Sequence, residues 1–269
     1  SRAALIKGQL DVMPVLTGPD INALKQHDNV VLYRSPSLVT NALLIQSNDP
    51  LLSDVRVRRA LAYSLDTRII ASLSTGGTGA ANSSMVPTAS PWYSAAQTQG
   101  YPTNPQLARQ LLTEAGYHGQ PIVLLTNRRY PDMYAQALMV QSMARKVGIN
   151  IKLQILEWAT QLDRYENGNY QLMSFSYSAR ADPYLSYSLI LGDRKKDKRK
   201  VWNDAAAINL LERAGQTSNV VERQQLFDQL HAMMIRDVPL IVLYNPADVN
   251  AVNRALTGFL SWPMGHARL

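Results

Sequence analysis

Residues 53–68, reading SDVRVRRALAYSLDTR, constrain the fold more than any other stretch of the 269-residue chain. Ser53 or Asp54 can accept hydrogen bonds from the unpaired amides of a first helical turn. Val57, Leu61, Leu65 and Ile69 then recur every fourth residue, the spacing of one buried helix face. Arg56, Arg58, Arg59 and Arg68 fall mostly on the other face, where guanidinium groups stay hydrated or pair with carboxylates. The segment predicts an amphipathic helix whose apolar stripe must pack against another element.

The rest of the chain alternates helices and strands, which is α/β order. Asn104 is placed to cap a helix with Pro105 in its first turn, Leu107, Leu111 and Leu112 inward, and Gly116 as a left-handed stop. Ile122 to Leu125 reads as a short strand. Pro131 opens a helix carrying Leu138, Met139, Met143 and Val147 and ending at Gly148, after which Ile149, Ile151, Leu153 and Ile155 alternate with polar residues as in a strand. A helix over about 160–167, a strand over 171–177, helices over about 203–214 and 220–235, and a final strand over 240–244 complete the pattern.

Composition removes several function classes. No run of about 18 apolar residues would span a membrane. Zero cysteines exclude disulfides, thiolate nucleophiles and thiolate metal sites. His27, His118, His231 and His266 are isolated, without an HExxH pair, so neither a metal nor a cofactor is expected. Gly76-Gly77-Thr78-Gly79 lacks the Gly-Lys-Ser/Thr ending of a phosphate loop and reads as a turn. No G-x-S-x-G elbow appears, and no catalytic residues are assigned. The formal charge of +7 is mostly dispersed; its one dense run, DRKKDKRK at 193–200, lacks interleaved aromatics or glycines and reads as a solvated loop.

One family orders these pieces. The pattern D-x-R-V-R-x-A-L-x-x-S-L-D over 54–66 resembles the helix that opens the second lobe of the dipeptide, oligopeptide and nickel binding proteins of bacterial ABC importers, solute-binding protein family 5. The small-residue loop Gly76 to Pro87, LARQLLTEAGY after Asn104-Pro105, QSMARKVGINIKL at 141–153 and Glu157-Trp158 follow in the family's order. Gly168-Asn169-Tyr170, Ala181-Asp182-Pro183, Glu222-Arg223, Pro239-Leu240-Ile241 and Leu256-Thr257-Gly258-Phe259 continue it.

The resemblance implies an α/β fold, a lobe of the type II periplasmic binding protein fold with a mixed sheet flanked by helices. It implies a strip of an incomplete first lobe over 1–45, where IKGQLDVMPVL resembles the family's early helix and strand, a second lobe over 46–245, and a return strip over 246–269. On this reading the chain is a C-terminal fragment of a periplasmic or cell-surface binding protein, a monomer. It captures a peptide-like or other small solute and hands it to a membrane permease, without catalysis and without nucleic acid. The alternatives are a small hydrolase with dispersed catalytic residues and an anionic-surface or nucleic-acid binder using 193–200.

Ligand contacts are expected in loops at the strand ends, where an open α/β sheet faces its crevice. The first loop contains Asn127 and Arg128. In peptide-binding relatives an arginine near this position holds the peptide carboxylate, a role suited to its planar fork, and Arg128 matches it with a one-residue gap; a surface arginine is the other reading. The second loop follows Tyr177. Dipeptide binders carry an aspartate three residues before the Asp-Pro, pairing with the ligand's amino group, whereas this chain has Ala179 there and Arg180 beside it. That departure favours an anionic or sugar-like solute, or a blocked or longer peptide, over a free dipeptide. Asp182 reads as a turn and helix-start residue. Trp158 and Tyr177 are either stacking surfaces for ligand or core aromatics.

Overall fold

In a computed structural model, which describes residues 1–16 and 18–261, the elements follow one another as α1 (Arg2–Ile6), β1 (Val12–Met13), α2 (Gly18–Leu24), β2 (Val30–Pro36), β3 (Thr40–Ile45), α3 (Val55–Ser64), α4 (Thr67–Thr75), β4 (Ala80–Ala81), α5 (Pro105–Glu114), β5 (Ile122–Thr126), α6 (Pro131–Arg145), β6 (Ile151–Ile155), α7 (Trp158–Glu166), β7 (Leu172–Tyr177), α8 (Pro183–Ile190), α9 (Ala205–Gln216), α10 (Val220–Asp237), β8 (Leu240–Asn245) and β9 (Ala247–Asn253). They form two sheets. The larger has six strands in the order β4-β8-β3-β7-β5-β6 and is mixed: β5 runs parallel to β6 and β7, while β3 is antiparallel to β7 and β8. The smaller has three, β1-β9-β2, all antiparallel.

Both faces of the large sheet are covered over its inner strands, which are largely apolar, while the edge strand β6 leaves Lys152 and Gln154 exposed. All six residues of β3 and all six of β8 are buried, as expected of strands enclosed between two layers. Because successive side chains point to opposite faces, Leu43 and Ile45 join one core with Leu61 of α3, Ile70 of α4, Leu112 of α5 and Val140 of α6. Ala42 and Leu44 join the other, with Tyr187 of α8, Leu211 of α9 and Phe227 of α10. Among the described residues the small sheet's contiguous buried cluster is Leu5, Leu24, Val30 and Ala251, with Ile21, Val249, Val252 and Phe259 buried beside it. The chain passes from the small sheet to the large one over residues 37–39 and back at residue 246, and there the Ser37 amide donates to the Pro246 carbonyl at 3.1 Å.

The helix stripe over 57–69 is interrupted. α3 stops at Ser64, Leu65 is extended and fully buried, and α4 begins anew with Asp66 as its cap, the Asp66 carboxylate accepting from the Arg68 and Ile69 amides. A good N-cap residue after Ser64-Leu65 restarts the helix on a new axis, and Ile69, expected inward, is 48% exposed. Arg58, expected on the hydrated face, is buried instead. Its guanidinium donates to the carbonyls of Leu52 (2.8 Å), Ser53 (2.9 Å), Val238 (3.0 Å) and Asp237 (2.6 Å). This clamp closes the end of α10 where Val238 takes a left-handed φ of 49°, a conformation that costs a β-branched residue energy. Burial lowers the Arg58 pKa, and the carbonyl oxygens solvate the charge that water would otherwise hold.

α5 follows its reading in cap and stop, with the Asn104 side chain accepting from the Leu107 amide at 3.0 Å and Gly116 at φ 67°, while of the expected inward leucines Leu112 is buried beside Ala108 and Leu107 and Leu111 are half-buried. In α6 the buried face is Met133, Gln136, Ala137, Val140 and Ala144, while Leu138 is 41% exposed. Met139 and Met143 still pack half-buried against the core and Val147, just past the helix, is buried, so of the expected residues Leu138 alone turns outward, and Gln136 takes a place inside by donating to the Ser174 hydroxyl.

Candidate functional site

The strand directions bring one set of loops to one edge. β5, β6, β7 and β8 all end there, β3 begins there, and the two crossings to the small sheet leave from the same edge. The loops after the adjacent parallel strands β5 and β7 hold Asn127, Arg128, Ala179 and Arg180, while Tyr177 is the last residue of β7 and Trp158 opens α7 after β6.

Asn127 is 1% exposed and works inside the protein. Its side-chain oxygen accepts from the Tyr130 amide at 2.9 Å and its nitrogen donates to the Gln161 side chain at 2.9 Å, while Gln161 donates in turn to the Ser174 carbonyl. This buried amide chain sets the loop that leads into α6. Arg128 and Arg129 are exposed at its tip, with guanidinium groups over the rings of Tyr134 (5.4 Å) and Tyr130 (5.8 Å). Neither arginine has a carboxylate partner among the described residues.

An aromatic column runs inward from this loop. Tyr130 meets the half-buried Trp158 edge-on with ring centres 4.9 Å apart, Trp158 stacks toward Phe175 at 6.2 Å, and Phe175 lies 4.4 Å from Tyr165 and 5.2 Å from Tyr177. Tyr177 is 5% exposed, and burial pushes its phenol well above the ordinary value. The half-buried Trp158 opens the column toward the loop side.

Beyond Tyr177 the half-buried Arg180 folds back so that its guanidinium donates to the Ala179 carbonyl at 2.9 Å. No carboxylate pairs with it among the described residues. Asp182 is engaged elsewhere: it caps α8 through the Tyr184 amide (2.9 Å) and accepts from Arg223 at 2.9 and 3.0 Å. Arg223 is itself fixed by the Ala214 carbonyl and packs over Trp92 and Phe227. The Asp-Pro turn is thus a structural start for α8, and the edge next to it is left with cations.

The return strip is expected from 246, but Asn245, which holds that crossing, is not among the expected site residues. Asn245 closes β8 by donating to the Val39 carbonyl (2.8 Å) and accepting from the Asn82 side chain (2.9 Å) and the Thr88 amide (3.0 Å). A notch of about 280 Å³ lies beside it, bordered by Arg34, Thr88 and Pro246. The Asn245-Pro246 pair, a turn signal directly after an apolar strand, is the trace it leaves in the sequence.

The basic run at 193–200 carries six cations against two carboxylates and is only partly paired. Arg199 pairs with Asp197 at 2.9 Å and lies 3.6 Å from Glu166; Lys200 also approaches Asp197, at 3.4 Å. The Arg199 hydrogen bond pulls the Asp197 carboxyl down to about 2. Among the described residues no group of three or more His, Cys, Asp or Glu is placed to hold a metal ion, and no helix is long and apolar enough to cross a membrane. His266 lies outside the described residues.

Comparisons with known proteins agree with this geometry. Residues 1–198 match the family described as bacterial extracellular solute-binding proteins, family 5 middle. The probable D,D-dipeptide-binding periplasmic protein DdpA of Escherichia coli is 26% identical over 98% of this chain and 52% of its own length, and the dipeptide-binding protein of the same organism is 26% identical over 98% and 51%. The chain thus spans about half the length of these curated relatives. The crystal structure of a dipeptide-binding protein from a Pseudoalteromonas species, in complex with Met-Leu, superposes with a TM-score of 0.85 at 24% identity, over 98% of this chain and 54% of that one. The mixed sheet, the two helical layers and the run of motifs therefore have one source: the chain belongs to the family 5 bacterial extracellular solute-binding proteins.

Proposed function

We propose that this chain supplies one wall of the ligand cleft of an extracytoplasmic binding protein serving an ABC importer. Its relatives are binding proteins, and binding without catalysis is the role read here. The observation that carries the reading is the composition of one sheet edge: Arg128 and Arg180, unpaired by carboxylates, flank the aromatic column of Trp158 and Tyr177, beside the two chain crossings at residues 37–39 and 246. Asn127 acts as a positioning residue for the first loop.

The large sheet is read as the second lobe. Residues 1–36 and 247–261, which build the small sheet, are read as strips of the first lobe, and β3 within the expected 1–45 strip pairs in the large sheet. The relatives carry as much polypeptide again beyond the matched half, and in this reading it forms the opposing wall. Closure about the two crossings would then trap the solute. A permease reads the closed state, which ligand favours only by its differential affinity for it.

The solute class follows from charge. Ala179 cannot accept an ammonium group, and Arg180 beside it would repel one, so the cleft suits a solute with an anionic or blocked end over a free dipeptide. Calorimetric titration of the protein in its full native length tests this with unmodified dipeptides, N-acylated peptides and opine-like acids. Preference for acylated peptides or acids supports the reading. Micromolar or tighter binding of unmodified dipeptides contradicts it.

A further inference from the structure

At the opposite end of the large sheet, where β5 and β7 begin and β3 ends, lies a cleft of about 600 Å³. Its lining runs along the sheet face from Gln46 and Gln171, beside the start of β7, to Leu125 and Gln154, near the ends of β5 and β6. It lies on the face of the sheet that carries Val123, Leu125 and Tyr170, between α7 and the 193–200 loop. Its polar wall includes Arg164, Arg194, Lys198, Gln46, Tyr170 and Asp49.

The charges there are unbalanced. Asp49 is the one carboxylate among the lining residues, and its oxygens are already occupied by the Leu51 and Leu52 amides (3.0 and 3.1 Å) and the Gln171 side chain (2.8 Å). Arg164 and Lys198 have no ion-pair or side-chain hydrogen-bond partner among the described residues. Arg194 is half-buried and held only by neutral oxygens, the Lys200 and Val201 carbonyls at 2.8 Å and the Ser47 hydroxyl at 3.2 Å. Two neutral groups are unsatisfied as well. The Tyr170 hydroxyl and the Gln46 side-chain oxygen are buried without a hydrogen-bond partner, on residues that are each 8% exposed. Leaving such groups unmade in a native structure calls for an explanation.

The cleft is also built rather than incidental. Gly168 holds φ 63° at its rim, and a Cβ there would sit 2.7 Å from the Lys198 carbonyl oxygen and 3.2 Å from the Gln46 nitrogen. Only glycine lets the basic loop close onto this wall. The loop's ion pairs, Asp197 with Arg199 and Lys200, keep it folded inward.

We infer that this amino-end cleft is a second binding site, for a small multiply charged anion of phosphate or carboxylate chemistry. Arg164, Arg194 and Lys198 supply the charge, and the Tyr170 hydroxyl donates a further hydrogen bond. The Gln46 oxygen accepts from a hydroxyl or protonated oxygen of the anion, as hydrogen phosphate and hydroxy acids both provide. The site is independent of the solute cleft, because none of its residues lies in the loops after β5, β6 or β7.

Calorimetric titration of the full native-length protein with inorganic phosphate and, separately, citrate, at ionic strength held constant with chloride, tests it. The doubly substituted R164Q/K198Q protein is compared, since neither side chain holds another described group, and Tyr170→Phe keeps the ring while removing the donor. The expected result is millimolar or tighter binding of at least one anion, weakened about tenfold or more by R164Q/K198Q and several-fold by Tyr170→Phe. The tighter of the two probes identifies the ligand chemistry. Binding of neither anion at millimolar concentration, or unchanged affinity in R164Q/K198Q, overturns the site.

Discussion

The two sheets differ in how completely they enclose themselves. The six-stranded sheet is sandwiched between α3 to α6 on one side and α7 to α10 on the other, and every residue of its central strands β3 and β8 is buried. The three-stranded sheet rests on a much smaller set of buried side chains among the described residues, centred on Leu5, Leu24, Val30 and Ala251, and Val15 and Leu260 near it are 64% and 68% exposed. Cooperative stability follows buried apolar contact, so regions with little of it open at lower free energy. The large sheet is thus a rigid platform that holds the loops after β5 and β7 in place, and the small one is the side that can yield at the crossings.

Paired core truncations separate the two regions most strongly. Phe227→Ala, in the large sheet's second core, should cost about 3–5 kcal/mol and lower the main denaturant midpoint accordingly. Leu24→Ala removes a fully buried side chain from the small cluster, yet should leave that midpoint nearly unchanged while speeding amide exchange in β2 and β9. Equal loss of midpoint in both variants would show that the sheets unfold as one unit.

Arg58→Ala should cost about 3 kcal/mol, because several buried carbonyls lose their donor and the left-handed Val238 loses its clamp. A loss below about 1 kcal/mol in urea titration would mean that water replaces the guanidinium there. Asp66→Ala, which removes the cap restarting the helix, should cost about 1 kcal/mol in the same titration.

The smallest effect is with pH. Burial holds the His231 imidazole below its ordinary 6.5, while the Gln99 carbonyl, which accepts from its Nε2, and the nearby Asp228 carboxylate oppose the shift. The folded state therefore favours the neutral ring. Its contribution is complete above about pH 6.5 and is lost as pH falls below it. His231→Gln, which can keep the donor to Gln99, should flatten the decline of melting temperature between about pH 8 and 5; an unchanged slope would assign that decline to other groups.

Much of this was legible in the sequence because the signals were local. The Asn104 cap, the apolar strands and the Asp-Pro start of α8 each depend on neighbours a few residues away. The rest depended on residues far apart in the chain. Arg58 is buried because α10 presents carbonyls 179 and 180 residues later, and a four-residue stripe cannot reveal that. The stripe itself misled at Leu65, where the capping strength of Asp66 outweighed helix continuity. At the candidate site, residue types were readable but exposure was not: Asn127 and Arg128 are sequence neighbours, one satisfied inside the protein and the other exposed over the Tyr134 ring. The amino-end cleft escaped notice because its cations come from a helix and a loop about 30 residues apart whose approach depends on Gly168.

The central claim is that solute is held at the carboxyl edge of the large sheet. The most direct measurement is backbone amide chemical-shift mapping of the protein during titration with an N-acylated peptide bearing a single carboxylate, which detects even weak binding. Shifts are expected to concentrate at 127–130, 158 and 177–180, with little change at 46–49 and 164–171. Shifts confined to the amino end, or spread evenly over both sheets, would contradict it.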